Sequence, residues 1–390
     1  MEIVTFNTVE LILLSAAGIL LVVQLIYYLA LYNRIRARAV ASRKEELHFS
    51  NELPPLSVII CARNESENLR RYLPSILEQD YPNFEVVVIN DGSTDESEEV
   101  LSAFEETYRH LYHSFTPSSA RYISRKKLSL TLGVKASKHD WLVFTEANCR
   151  PVSNQWLRLM ARNFTPRTQI VLGYNGYDRG KGWMHKRIAF DSLFTSLRYL
   201  GFALAGQPYM GIGRNLAYRK ELFFKQKGYS THLNLQRGED DLFINQVATK
   251  DNVAVETDKN AVIRMEPIDR YKDWKEEKTS YLATSSYYHG TQRYLLGFET
   301  CSRLLLYTAF AAALALGIWN MHWFVVGIAA LLMIIRFIVQ AIVINKTATD
   351  MDDNRHYYFT LPVFDFLLPL QSLRFRMYRL YRGKGDFMRR

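Results

Sequence analysis

The sequence predicts an α/β domain built on an open parallel sheet and flanked by membrane-spanning helices. Three observations lead there. Short apolar runs alternate with segments of helical spacing in the middle of the chain. Uncharged apolar runs, long enough to cross a bilayer, stand on either side of that region. Polar clusters end three of the strand-like runs, where open α/β sheets bind their ligands.

The chain has 390 residues, enough for one large domain or two ordinary ones with a real core. With 48% hydrophobic and 23% charged residues it is not a disordered chain. Lys and Arg number 49 against 39 Asp and Glu, a net charge of +10. Such a balance suits nucleic acid, an anionic membrane surface or an anionic ligand, and the position of the charge decides between them.

The stretch Leu11–Tyr32 carries no charged side chain, and Gln24 is its only strongly polar interruption. At 1.5 Å per residue it spans a hydrocarbon core of about 30 Å. It is too long for the apolar part of a secretory signal and lacks a basic start, so it reads as an uncleaved anchor. Arg34, Arg36, Arg38, Arg43 and Lys44 follow at once, which places that flank in the cytoplasm. Near the other end, Leu304–Trp319 and Trp323–Ile344 form a helical hairpin. Arg336 interrupts the second run; its long stem can snorkel to the nearby membrane face, or it can mark function. Tyr357–Leu373 carries Pro362, Asp365 and Pro369 and reads as an interfacial segment. The tail is basic: Arg374, Arg376, Arg379, Arg382, Lys384, Arg389 and Arg390.

Three spans leave the middle and the tail on the cytoplasmic side of a plasma (inner) membrane, with both basic flanks against anionic headgroups. The expected divisions are 1–50 for anchor and basic linker, 51–300 for the cytoplasmic domain, and 301–390 for hairpin, interfacial segment and tail. Membrane lipids then account for much of the positive charge, and no nucleic-acid partner is expected. Cys61, Cys149 and Cys301 are too scattered for a disulfide framework or a zinc site.

In the middle, "LSVIICAR" (Leu56–Arg63) suits a buried parallel strand. "NESENLRRYLPSIL" follows with helical spacing, and Asn64 can cap that helix. "FEVVVIN" (Phe84–Asn90) and "WLVFTE" (Trp141–Glu146) are further strands. The clusters at their ends are Arg63-Asn64-Glu65, Asp91-Gly92-Ser93-Thr94-Asp95 and Glu146-Ala147-Asn148. Each alone can be a helix cap or a turn. Three in register point to a shared ligand site.

Together, "PPLSVIICARNESENL", "VVVINDGSTDES", "VFTEANCRP" and "RGEDDLFIN" resemble the family 2 glycosyltransferases, over roughly residues 54–245. The resemblance implies a GT-A fold, which is Rossmann-like and binds nucleotide sugars. It implies that Glu65 and Asp91 contact the uracil and ribose of a nucleoside diphosphate sugar, that Ala62 and Arg63 line the same crevice, and that Lys127 lies near the nucleotide. The family's metal motif is Asp-x-Asp; here it is Glu146-Ala147-Asn148. A divalent cation, Mn2+ or Mg2+, neutralises the diphosphate that leaves. Glu146 and Asn148 are its expected ligands. The amide is the weaker donor, which costs about tenfold in metal affinity. The ion is then weakly bound or dispensable, and Lys127, Arg150 and Arg214 are the candidates for neutralising the diphosphate.

In "GQPYMGIGRNLAYRKELFF" (Gly206–Phe224), Gly211 and Gly213 make a loop that can lie under the donor sugar, or a plain turn. Arg214 then reaches the diphosphate. In "RGEDDLFINQVA" (Arg237–Ala248) the acids can simply cap a helix. By resemblance, Asp240 is the general base of an inverting transfer, supported by Glu239 and Asp241; crowded carboxylates raise one another's pKa, which suits a base. Chain-building members carry Gln-x-x-Arg-Trp soon after, and here Glu277, Ser280 and Tyr281 stand in those places. Trp274, Tyr281, Tyr287 and Tyr288 can stack on an acceptor sugar or sit as interfacial aromatics.

The expected activity is therefore transfer of one sugar, from a UDP-sugar before other donors, to a hydroxyl on a lipid-linked or membrane-proximal acceptor. A catalytically impaired nucleotide-binding scaffold and a small processive synthase are the alternatives.

Overall fold

The computed structural model describes residues 7–117, 124–351 and 355–382. Lys384, Arg389 and Arg390 of the basic tail lie outside them, as does the side chain of Arg382.

The chain begins with α1 (Thr8–Ile26), passes through a π-helical turn at Tyr27–Tyr32 and continues as α2 (Asn33–Arg43). The domain follows in the order β1 (Leu56–Ala62), α3 (Ser66–Leu77), β2 (Phe84–Asn90), α4 (Ser97–Thr107), β3 (Leu111–Phe115), α5 (Arg125–Ala136), β4 (Trp141–Glu146), β5 (Cys149–Pro151) and α6 (Trp156–Ala161). Next come β6 (Ile170–Leu172), β7 (Asn175–Tyr177), α7 (Trp183–Leu204), β8 (Leu216–Arg219), α8 (Lys220–Lys225), α9 (Asp241–Val247), β9 (Val253–Val255) and β10 (Ile263–Met265). The chain ends with α10 (Tyr271–Ser285), α11 (Gln292–Trp319), α12 (Trp323–Met351) and α13 (Leu361–Arg382).

The main sheet has the order β3-β2-β1-β4-β8-β6-β9. Its first four strands are parallel, and β1 and β2 are buried along almost their whole length because helices cover both faces. The sheet is not parallel throughout: β8 runs antiparallel to both β4 and β6. The long helix α7 stands between β7 and β8 and returns the chain to the sheet from the opposite end. Apolar spacing cannot show this, because a short buried strand reads alike in either direction.

Three helices are long and apolar enough to cross a membrane: Thr8–Arg43, Gln292–Trp319 and Trp323–Met351. The first and last outrun their apolar stretches because their polar ends pack on the domain. Small side chains such as Ala17, Ala309, Ala313 and Ala329 lie buried where these helices meet. The core of the domain continues into the helices: Tyr32 meets Phe194 of α7 edge-on, with ring centroids 5.6 Å apart. A Cβ on Gly201 would stand 2.9 Å from the carbonyl oxygen of Leu31, so only glycine allows α7 this close to the π-helical turn.

Arg336 does not snorkel. It is buried, and it donates to Asp365 Oδ2 at 2.7 Å, to Gln340 at 3.0 Å and to the Tyr307 hydroxyl at 3.1 Å. Its partner lies on α13, the segment that the sequence reads as interfacial. That segment is helical despite its prolines, Pro362 falling in the first turn where no N–H is needed.

Candidate functional site

The carboxyl ends of β1, β2 and β4 meet at one edge of the sheet. After β1 the chain turns sharply: Asn64 adopts φ +54°, a left-handed conformation that asparagine tolerates. Its side chain does not cap α3. Its Oδ1 accepts from the Thr94 N–H at 2.8 Å, and its own N–H donates to Ser93 Oγ at 2.9 Å. The free end of α3 is capped from the neighbouring loop, where Asp95 accepts from the Ser66 N–H at 3.0 Å. The two loops are thus laced together.

Ala62 ends β1, buried, and its carbonyl accepts from the Asp91 N–H at 2.8 Å. Asp91 is buried and takes Arg125 Nε at 3.0 Å. Glu65 is half-buried and accepts from Asn68 at 2.5 Å; burial pushes its carboxyl above the ordinary value. Arg63 is exposed.

Glu146, at the end of β4, is the centre of a chain of charges. One oxygen takes Lys126 Nζ at 2.7 Å and the other takes Arg214 Nε at 2.7 Å. Arg214 reaches on to Glu277 of α10 at 2.8 Å, and Lys126 reaches on to Glu239 at 3.1 Å. Burial raises the Glu146 carboxyl, but Lys126 and then Arg214 outweigh it and hold it well below the usual carboxylate range. The same pairing outweighs desolvation at Lys126, whose ammonium is held above its ordinary value by Glu146 and Glu239.

Asp240 is the N-cap of α9. Its Oδ1 accepts from the Asp241 N–H at 2.8 Å and its Oδ2 from the Gly213 N–H at 2.9 Å. Burial, then the neighbouring Glu239, pushes its carboxyl up. Asp241 points the other way. It is buried and accepts from the Tyr288 hydroxyl at 2.7 Å and from the Thr284 hydroxyl, and burial followed by Asp240 pushes it up to about 7. Lys126, Glu146, Gly213, Glu239 and Asp240 line one small cavity of about 20 Å³. The expected base and the expected metal position therefore face each other.

Other expected residues have different work. Lys127 is fully buried and donates to the carbonyls of His232 at 2.6 Å and Leu235 at 2.8 Å, which pins the loop before α9; burial lowers its ammonium to about 8. The lysine between the carboxylates is its neighbour, Lys126. Arg150 is paired with Asp178 at 2.8 Å. The Tyr288 hydroxyl holds Asp241, and Trp274 is buried against Tyr271 and Phe375. The sequence carried no signal that singled out Lys126 or the pairing of Glu277 with Arg214.

Both oxygens of Glu146 already accept from cationic side chains, and the Asn148 carbonyl accepts from the Cys149 thiol at 3.4 Å. Among the described residues no three His, Cys, Asp or Glu side chains are grouped to hold an ion. A cation bound at Glu146 would share its carboxylate with Lys126 and Arg214.

A family profile described as "Glycosyl transferase family 2" matches residues 57–272. Glycosyltransferase AglE of Haloferax volcanii is 32% identical over 111 residues, which is 28% of this chain and 34% of that protein. A poly-beta-1,6-N-acetyl-D-glucosamine synthase of Staphylococcus epidermidis is 25% identical over 123 residues, 32% of this chain and 28% of that one. These matches span about a third of each curated relative. Among solved structures, a mannosyltransferase of Pyrobaculum calidifontis, in complex with GDP-Man and Mn2+, shares the fold at a TM-score of 0.62 and 18% identity, covering 96% of this chain and 100% of that one.

Proposed function

The chain belongs to glycosyl transferase family 2, and from that premise we propose that it is an inverting glycosyltransferase, anchored in the plasma (inner) membrane with its domain on the cytoplasmic face. It moves one sugar from a nucleoside diphosphate sugar, with UDP the first donor to try, to a hydroxyl of a lipid-linked or membrane-proximal acceptor. One observation carries this reading: the Asp240 carboxylate is fixed by two backbone N–H groups in the same small cavity as Lys126 and Glu146.

In this reading the loops after β1 and β2 take the nucleoside, with Glu65 and Asp91 as acceptors for base and ribose. Asp240 removes the proton of the acceptor hydroxyl as that oxygen attacks the anomeric carbon from the side opposite the diphosphate. The bond from anomeric carbon to diphosphate oxygen breaks, and Lys126 and Arg214 receive the negative charge that grows there. Glu239 and Glu277 keep those cations placed. Asp241, tied to Thr284 and Tyr288, fixes the start of α9 and so the orientation of Asp240.

The test is incubation of the detergent-solubilised protein with radiolabelled UDP- and GDP-sugars and a membrane lipid extract. A single labelled lipid product is expected. A ladder of products would favour the processive synthase, and nucleotide binding without any transfer would favour the scaffold.

A further inference from the structure

A larger cavity, about 240 Å³, lies beside the catalytic one, between α7, α10, α11 and α13. Arg214 belongs to its wall, and the same side chain holds Glu146. The cavity sits at one end of the apolar bundle. There the Tyr27 hydroxyl donates to the Leu295 carbonyl at 2.7 Å, and Gln24 donates to Ser302 at 2.9 Å. The opposite end of the bundle is marked by Glu10, Asn320 and His322. A lipid in the membrane therefore meets this cavity where bundle and domain join.

The polar atoms of the wall are unbalanced in one direction. Asn175 Nδ2, Trp274 Nε1, Arg198 Nε and Arg303 Nε are buried nitrogens with no hydrogen-bond partner, and all four residues line the cavity. Asn175 and Arg303 are 1% exposed and Trp274 is 2% exposed, so bulk water does not satisfy them. Every one of these atoms is a donor. The one lining acceptor among the buried atoms without a hydrogen bond, Asp191 Oδ2, stands 2.5 Å from the Lys278 ammonium. Of the six cationic lining side chains, Arg198 and Arg303 pair with Glu299, Arg214 with Glu146 and Glu277, and Lys278 with Asp191, which leaves Arg293 and Arg376 without a carboxylate among the described residues. Leu296, Leu368 and Phe375 supply apolar wall beside them. Buried donors call for a ligand that only accepts, and Arg293 and Arg376, which no carboxylate neutralises, favour an anion.

We propose that this cavity receives the phosphate of the acceptor lipid. The lipid chains leave along the apolar wall between α11 and α13, and the hydroxyl-bearing headgroup points past Arg214 to Asp240. The inference rests on the reading of the chain as a transferase with a lipid acceptor, and it narrows the acceptor to lipids that carry a phosphate beside their hydroxyl.

Native mass spectrometry of the full chain in maltoside detergent tests this, with phosphatidylglycerol, diacylglycerol and glycerol phosphate as separate probes. Phosphatidylglycerol should be retained, while diacylglycerol, which has the hydroxyl without the phosphate, should not. Trp274→Phe keeps the ring that packs on Tyr271 and Phe375 and removes one neutral donor. It should weaken phosphatidylglycerol about tenfold. Simple attraction of an anionic lipid to the basic surface would be unchanged by this substitution, and that result would overturn the proposal. Equal retention of diacylglycerol would overturn it too. Binding of glycerol phosphate as tight as that of the lipid would refute the lipid half of the assignment. Displacement of the lipid by saturating UDP would assign the cavity to the donor instead. Nucleotide binding is measured on the same samples: its presence in Trp274→Phe shows that the variant is folded, and its absence from the wild type would count against the transferase reading itself.

Discussion

Lys126 places its ammonium 2.7 Å from Glu146 at the end of β4, at the point where the family's metal motif has its first carboxylate. With Arg214 on the other oxygen, two cationic side chains stand at the carboxylate to which the resemblance assigns an ion. Binding of a nucleoside diphosphate should therefore depend little on divalent metal. Calorimetric titration with UDP in Mn2+ and then in EDTA should give affinities within about threefold of each other. Lys126→Met should weaken UDP by about tenfold or more, since it removes a charge-assisted contact and leaves Glu146 facing the diphosphate. A strong requirement for Mn2+, with Lys126→Met binding normally, would mean that an ion displaces the lysine.

Asp241 should give the fold a pH dependence whose sign follows from its burial beside Asp240. Its carboxyl, ordinarily near 3.8, is pushed up to about 7 by burial and by Asp240. Between those values the folded chain keeps a proton that the unfolded chain has lost, so this group makes stability fall as the pH rises from about 4 to about 7. The melting temperature of the wild type should drop more between pH 5 and pH 8 than that of Asp241→Asn, whose amide does not titrate. Parallel curves for the two proteins would contradict the placement of Asp241.

Arg336 and Asp365 tie α12 to α13 through a buried bond of 2.7 Å. Removing one partner leaves a charge buried without its counterion, which costs about 3–5 kcal/mol. Asp365→Leu should therefore loosen α13 and make it a protease-sensitive segment. Arg336→Met combined with Asp365→Leu should restore part of the protection, Arg303 still losing the Asp365 contact it holds at 3.3 Å. Equal sensitivity of the single and double variants would show that the pair does not carry the docking of α13.

What the sequence made legible follows from how its signals arise. Apolar runs ending in polar clusters revealed β1, β2, β4 and the edge where they converge, because parallel buried strands are apolar throughout and their loops fall at one end. The direction of β8 was hidden, since burial does not record direction. Lys126 and Lys127 differ by one position on a helix, about 100° apart, and composition does not say which faces the site. Arg336 looked like a snorkelling residue because its partner lies 29 positions away in a segment broken by prolines. Tyr288 read as a sugar platform or an interfacial aromatic because its hydroxyl partner, Asp241, is adjacent only once the turn after α10 packs on α9.

The most direct measurement is Asp240→Asn, assayed in parallel for UDP binding and for transfer of labelled sugar to lipid. The amide keeps the shape and the bond from Gly213 but cannot take a proton. Binding should stay within about threefold of wild type, and transfer should fall by about 10²–10⁴-fold. Transfer at the wild-type rate would contradict Asp240 as the base and, with it, the mechanism built on this cavity.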